Sequence, residues 1–201
     1  MTLNTTPGQA GLDWRTVEDA IFNWFASATG IDVIWANQDV PQPPWPFGTL
    51  NIIAGPTKIG GEDSVIVTTD MNQPAGEEVQ LDNRGPRHFV VSCQVIQGPP
   101  DTHNPDIHAR RLASAAHAAL SLESVHQAFT AVGLAMVEVD NITSIDTEVG
   151  QEWTTRSVFD VTFAFMSSIT ERTGFINNVE ATGTLDDAGT DIVEDFSTNN
   201  P

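Results

Sequence analysis

Residues able to do chemistry are few and scattered. The chain has five histidines, and two of them, His103 and His108, stand five apart with Asp101 and Asp106 beside them. A zinc or iron site wants ligands at i and i+3 or i+4 of one helix face, or a set converging from several elements. The 103–108 spacing misses that pattern, His103 precedes the expected helix cap, and His117 and His126 fall on different expected helices. Solvated or helix-packed histidines are the better reading. The single Cys93 lies in an apolar alternation with Phe89 and Val91, which predicts a buried core thiol. Reactive thiols occupy exposed, electropositive places. One cysteine forms no internal disulfide, so the fold relies on packing and fits a reducing compartment.

The phosphate and acyl-transfer signatures are missing too. There is no GxxxxGK[ST], no GxGxxG and no G-x-S-x-G, and Gly60-Gly61 has neither lysine nor hydroxyl placed to hold a nucleotide. The acidic pairs Glu62-Asp63, Glu77-Glu78 and Asp186-Asp187 are sequence neighbours, which do not generally converge on one site. Arg110-Arg111, the one basic pair, shares a helix with Asp106 and reads as a surface or interface ion pair. The sequence therefore assigns no catalytic residue, no metal ligand and no cofactor.

Eight Lys+Arg against 27 Asp+Glu give a formal charge of −19 over 201 residues, and Lys58 is the only lysine. Wrapping nucleic acid requires clustered cations that neutralise phosphates, which this chain lacks. The acidity also fits a solubility coat or a saline habitat. A hydrophobic share of 40% with 17% charged excludes a disordered chain and a coiled coil. No charge-poor apolar run reaches the ~18 residues of a membrane span. The segment MTLNTTPGQAGLDWR has no basic stretch followed by an apolar core, so a signal peptide is not expected.

The elements that must position these side chains follow from periodicity. Residues 1–12 are small and polar and read as a flexible N-terminus. Asp13 caps a helix over 14–29, with Leu12 stapled to Val17 and an apolar face of Trp14, Val17, Ile21, Trp24, Phe25 and Ala28; Gly30 ends it. A short strand covers 31–36, a stiff connector with four prolines covers 41–47, and a strand runs near 47–54. Residues 55–86 read as a polar excursion in which 65–69 and 78–81 pair as a ribbon, an arm of about 60–84. Phe89, Val91, Cys93 and Val95 share one face of a strand at 87–97. Asn104 and Pro105 start an alanine-rich helix to 119, and Ser121 caps a second one that Gly133 closes. A strand over 134–139 and a turn-rich link over 141–149 lead to a long strand, 153–167, with Phe159, Val161, Phe163 and Phe165 on one side. The order defines an α+β fold: a mainly antiparallel sheet, helices on one face and an extended β-ribbon arm. Residues 13–180 form a single domain, and 181–201, with Asp186, Asp187, Asp191, Glu194 and Asp195, form a mobile acidic tail.

Two stretches carry a resemblance. The run Val33-Ile34-Trp35-Ala36-Asn37-Gln38, leading into Pro41-Gln42-Pro43-Pro44-Trp45-Pro46-Phe47, resembles the neck and tail terminator proteins of long-tailed bacteriophages. So does Trp153 to Phe163, where an aromatic precedes Arg156 and alternating apolar residues. The resemblance spans roughly residues 12–170 in order. It implies a virion protein of the phage neck, assembled in the host cytoplasm. It further implies a ring, usually a hexamer, that caps the tail tube, stops its growth and joins the tail to the head-side connector. The implied partners are other copies of itself, the tail tube protein, the connector protein, and DNA passing through without specific binding; no membrane is involved. Closing a ring of such acidic chains calls for apolar contacts or pairing through Arg84, Arg87, Arg110, Arg111 and Arg156. An acidic adaptor that docks a basic partner, and a metal-dependent hydrolase around His103, Asp106 and His108, are the alternatives from other classes.

Overall fold

A computed structural model describes residues 12–61, 63–70, 72, 79–98, 108–149 and 152–173. They form α1 (Trp14–Thr29), β1 (Asp32–Trp35), β2 (Phe47–Lys58), β3 (Ser64–Thr69), β4 (Val79–Gln97), α2 (Ala109–Ala119), α3 (Glu123–Ala131), β5 (Leu134–Val139), β6 (Thr143–Val149) and β7 (Glu152–Thr173). The sheet has seven strands in the order β1-β2-β4-β7-β5, with β3 on β4 and β6 on β7. The β2–β4, β5–β7 and β6–β7 pairs are antiparallel, and β1 joins β2 in parallel. The fold is α+β with a mostly antiparallel sheet, as the periodicities predict.

The described residues divide into two units. The larger one runs to Ser64 and resumes from Asn83 to Ile169. Its core joins Val17, Ile21, Trp24 and Phe25 of α1 to Phe89, Val91, Cys93 and Val95 of β4 and to Phe159, Val161, Phe163 and Phe165 of β7. Ala109, Ala113 and Ala116 of α2 and Phe129 of α3 enter the same cluster, so all three helices cover one sheet face. Side chains of alternate strand residues point to one face, and that alternation selects the odd-numbered set of β4 and β7. Edge-to-face contacts lock the helices down: Trp14 lies 5.2 Å from Phe89, Trp24 5.9 Å from Phe129, and Phe129 5.0 Å from Phe163.

Helix α1 starts and stops where its sequence predicts. The Asp13 carboxylate accepts the Arg15 N–H at 3.1 Å and the Thr16 hydroxyl at 2.6 Å. The Thr16 hydrogen bond is the main cause of an Asp13 carboxyl held below its ordinary range. Leu12 and Val17 are both buried, which completes the staple. Gly30 ends the helix at φ 67° and donates its N–H to the Ala26 carbonyl at 2.8 Å.

Three elements differ from the sequence reading. The strand at 78–81 and the strand at 87–97 are one continuous β4. Pro86 lacks a donor but its carbonyl accepts the Ile59 N–H at 3.1 Å, so pairing survives there. The stretch read as a turn-rich link holds strand β6, because Thr143, Ile145, Thr147 and Val149 are β-branched at alternate positions and β7 offers seven residues of register to pair with. Helix α2 begins at Ala109 after His108, not at the Asn104-Pro105 signal, and 99–107 lie outside the described residues. His108 makes no side-chain cap; the Gln97 side chain, at the end of β4, accepts the Ala109 N–H at 3.0 Å instead. A cap supplied from another element leaves no local signature.

In the smaller unit are Val65 to Asp82 and the end of β7 from Thr170. Asp82 is nearly buried and accepts the Thr170 hydroxyl at 2.6 Å and the Gln80 amide at 3.1 and 3.2 Å. All six residues of β3 are exposed, including Val65, Ile66 and Val67.

Candidate interaction surfaces

Among the described residues no three His, Cys, Asp or Glu side chains group as metal ligands. His103, Asp101 and Asp106 lie outside the described residues, as do Glu62, Glu77, Glu78, Asp186 and Asp187. His108 is exposed ahead of α2. His117 is half-buried with its ring edge-on to Phe159 at 5.5 Å, a packing role. Cys93 is fully buried, and burial, with the Asp160 charge as a smaller cause, pushes its thiol well up from the ordinary value. Such a thiol is no nucleophile at neutral pH.

The cations sort by use. Arg87 grips Asp63 with both arms, Nη1 to Oδ1 at 2.9 Å and Nη2 to Oδ2 at 2.5 Å, and Lys58 Nζ stands 3.6 Å from the same carboxylate. The Arg87 hydrogen bond is the chief cause of an Asp63 carboxyl below its usual range, and the same bond raises Arg87. Arg87 is thus paired within its own chain. Arg110 and Arg111 are exposed on α2, and Arg84 is exposed on β4. Arg156 sits half-buried on the sheet face away from the helices and donates from Nη2 to Gln94 Oε1. Thr49 and Ser92 complete that polar row, each 3.4 Å from the Gln94 amide. Arg156 Nε and Asp160 Oδ1, also on that face, are buried with no partner.

The second surface is a groove of about 600 Å³ between α1 and α3. Ala20, Trp24 and Ala28, four apart on α1, form one wall, and Val125 and Ala128 of α3, with Val132 just after its end, form the other. Among the described residues, Asp19 is the only charged one lining it. Trp24 is 6% exposed, and its indole Nε1 has no acceptor. The sequence reading assigned Trp24 to the core and did not see the groove. Its signal is the small residue repeated beside the apolar stripe of α1, which leaves room instead of filling it.

Comparison with protein families gives the class: residues 15–189 match the profile described as "Phage neck terminator protein". The chain belongs to the phage neck terminator protein family, a family of structural virion proteins of the neck. No curated protein matches it. Among solved structures it is similar to a chain titled "Virion of native gene transfer agent (GTA) particle", at 19% identity over 81% of this chain and 99% of that one. The TM-score of that superposition is 0.32. Among the described residues no helix is long and apolar enough to cross a membrane.

Proposed function

We propose that the protein closes into a ring, a hexamer, at the neck of the particle, where it caps the tail tube, ends tail growth and joins the tail to the head-side connector while DNA passes through its lumen. The observation that carries this reading is the family match across residues 15–189. Three features support it. Cys93 and His117 are used in packing and Arg87 and Asp63 in internal pairing, uses that suit a structural role. The chain presents an apolar groove and an exposed apolar strand, and large exposed apolar patches mark interaction sites. A wall built from chains of charge −19 repels phosphate and gives passing DNA no resting place.

The test is the purified chain examined by size exclusion with light scattering and by electron microscopy, alone and with tail tubes. Rings of six that bind one end of a tube are expected. A chain that remains monomeric at every concentration and salt, and leaves tubes to elongate unchecked, overturns the reading.

A further inference from the structure

We infer that the exposed strand β3 of one copy docks into the α1–α3 groove of the next copy. This rests on the ring reading above and names the contact that would close it.

The inference starts from charge. Two copies at −19 each repel, so they meet at least cost where each presents no charge. Strand β3, Ser64–Thr69, reads SVIVTT and contains no ionisable residue. Among the described residues the groove is lined by apolar, hydroxyl and amide side chains, the amide being Asn23, with Asp19 as the single charge. In a chain with 27 carboxylates, two such surfaces are the natural pair.

The second line is packing. Consecutive strand residues point to opposite faces. Val65 and Val67 therefore share one face, Ile66 takes the other, and all three are exposed, at 56%, 60% and 45%. Both faces are open to solvent. Leaving three such side chains in water is a standing cost that a partner relieves. The groove has the complementary defect. At about 600 Å³ it is roomy enough for several aliphatic side chains, and Ala20, Ala28, Val125 and Ala128 give it an apolar lining. A projection on one copy and a recess on the next make a head-to-tail contact, the kind that generates rings when the rotation closes.

Paired substitutions test the contact. Ile66→Asp and Ala128→Lys each change an exposed residue, so thermal melts should match wild type. Each alone should raise the concentration for half-assembly by roughly ten-fold or more, and the two together should recover much of the loss through a new ion pair. In the Ile66→Cys, Ala128→Cys double variant, mild oxidation should yield a covalent ladder of chains, and buried Cys93 does not compete. Rings that form normally with either single variant and give no ladder overturn this contact and leave the ring reading standing. A wild-type chain that never assembles overturns both.

Discussion

At Gly48 a single missing methyl group sets how closely α1 lies on β2. A Cβ there would stand 2.7 Å from Phe25 Cε1 and 3.2 Å from Val33 Cγ2, and Phe25 is itself fully buried with no room to retreat. Gly48→Ala should therefore destabilise by ~1–3 kcal/mol in urea unfolding, as overpacked cores do. Gly61→Ala, with nothing within 4 Å, should be close to neutral in the same assay. Cys93 is the second residue whose surroundings decide its chemistry. Its burial and raised thiol predict no reaction with a thiol-specific reagent in the native state and one equivalent per chain after denaturation; rapid native labelling would contradict the packing described. Asp63 carries a pH signature. Its carboxyl is depressed in the fold by the Arg87 hydrogen bond, so the stabilisation is present above the unfolded value and lost as pH falls through the folded one. Melting temperatures of wild type and Asp63→Asn should differ at neutral pH, begin to approach one another only below about pH 4, where free carboxylates protonate, and merge as pH falls through the lower folded value. The sequence shows why these three were unequally legible. Cys93 sits in a visible alternation, whereas Asp63 meets Arg87 across 24 residues and Gly48 meets Phe25 across the core.

Elements with a periodic face and local caps were readable, and those completed from elsewhere were not. Helix α1 has its cap, staple and terminal glycine within its own segment and falls as the pattern predicts; β4 and β7 are strands where Phe89–Val95 and Phe159–Phe165 alternate, but both run beyond the bounds the pattern sets. The parallel pairing of β1 to β2 follows from neither strand's residues, since it depends on where the proline-rich connector returns the chain. Strand β6 is polar enough to pass for a link, and β7 makes it a strand. The groove escaped for a related reason: alanines reveal nothing about what faces them, and only the seating of α3 against α1 turns Ala20, Ala28 and Ala128 into walls. The clearest case is the start of α2, where Gln97 from β4 does the work of a cap. Gln97→Ala should leave the first turn frayed, with faster amide exchange at Ala109 to Leu112 and a loss of ~1 kcal/mol, the worth of one hydrogen bond. Unchanged exchange there would mean that the helix start is held by something other than this amide.

Over the whole molecule, charge decides how copies meet. Each chain carries −19, and any assembly brings several such fields together. Between exposed charges this repulsion acts over the Debye length, ~10 Å at 0.1 M salt and ~3 Å at 1 M. Apolar contacts such as the one proposed for β3 are not weakened by added salt, and sulfate strengthens them. The two effects act in the same direction, so assembly should rise with ionic strength and fall in dilute buffer. An interface built on Arg–carboxylate pairs would behave in the opposite way, because salt screens attraction as it screens repulsion. The internal pairing of Arg87 with Asp63 removes one of only eight cations from that second kind of interface. Light scattering across a salt series at fixed protein concentration separates the two. Larger species at higher salt, with the Ile66→Asp variant lagging behind wild type throughout, is the expected result. Assemblies that come apart as salt rises would place arginine pairs, not apolar strands, at the joints. Acidification supplies an independent check, since lowering the pH toward the sequence pI of about 4.2 discharges the carboxylates without adding ions. It should favour assembly in dilute buffer until the acid-sensitive pairs of the fold begin to fail.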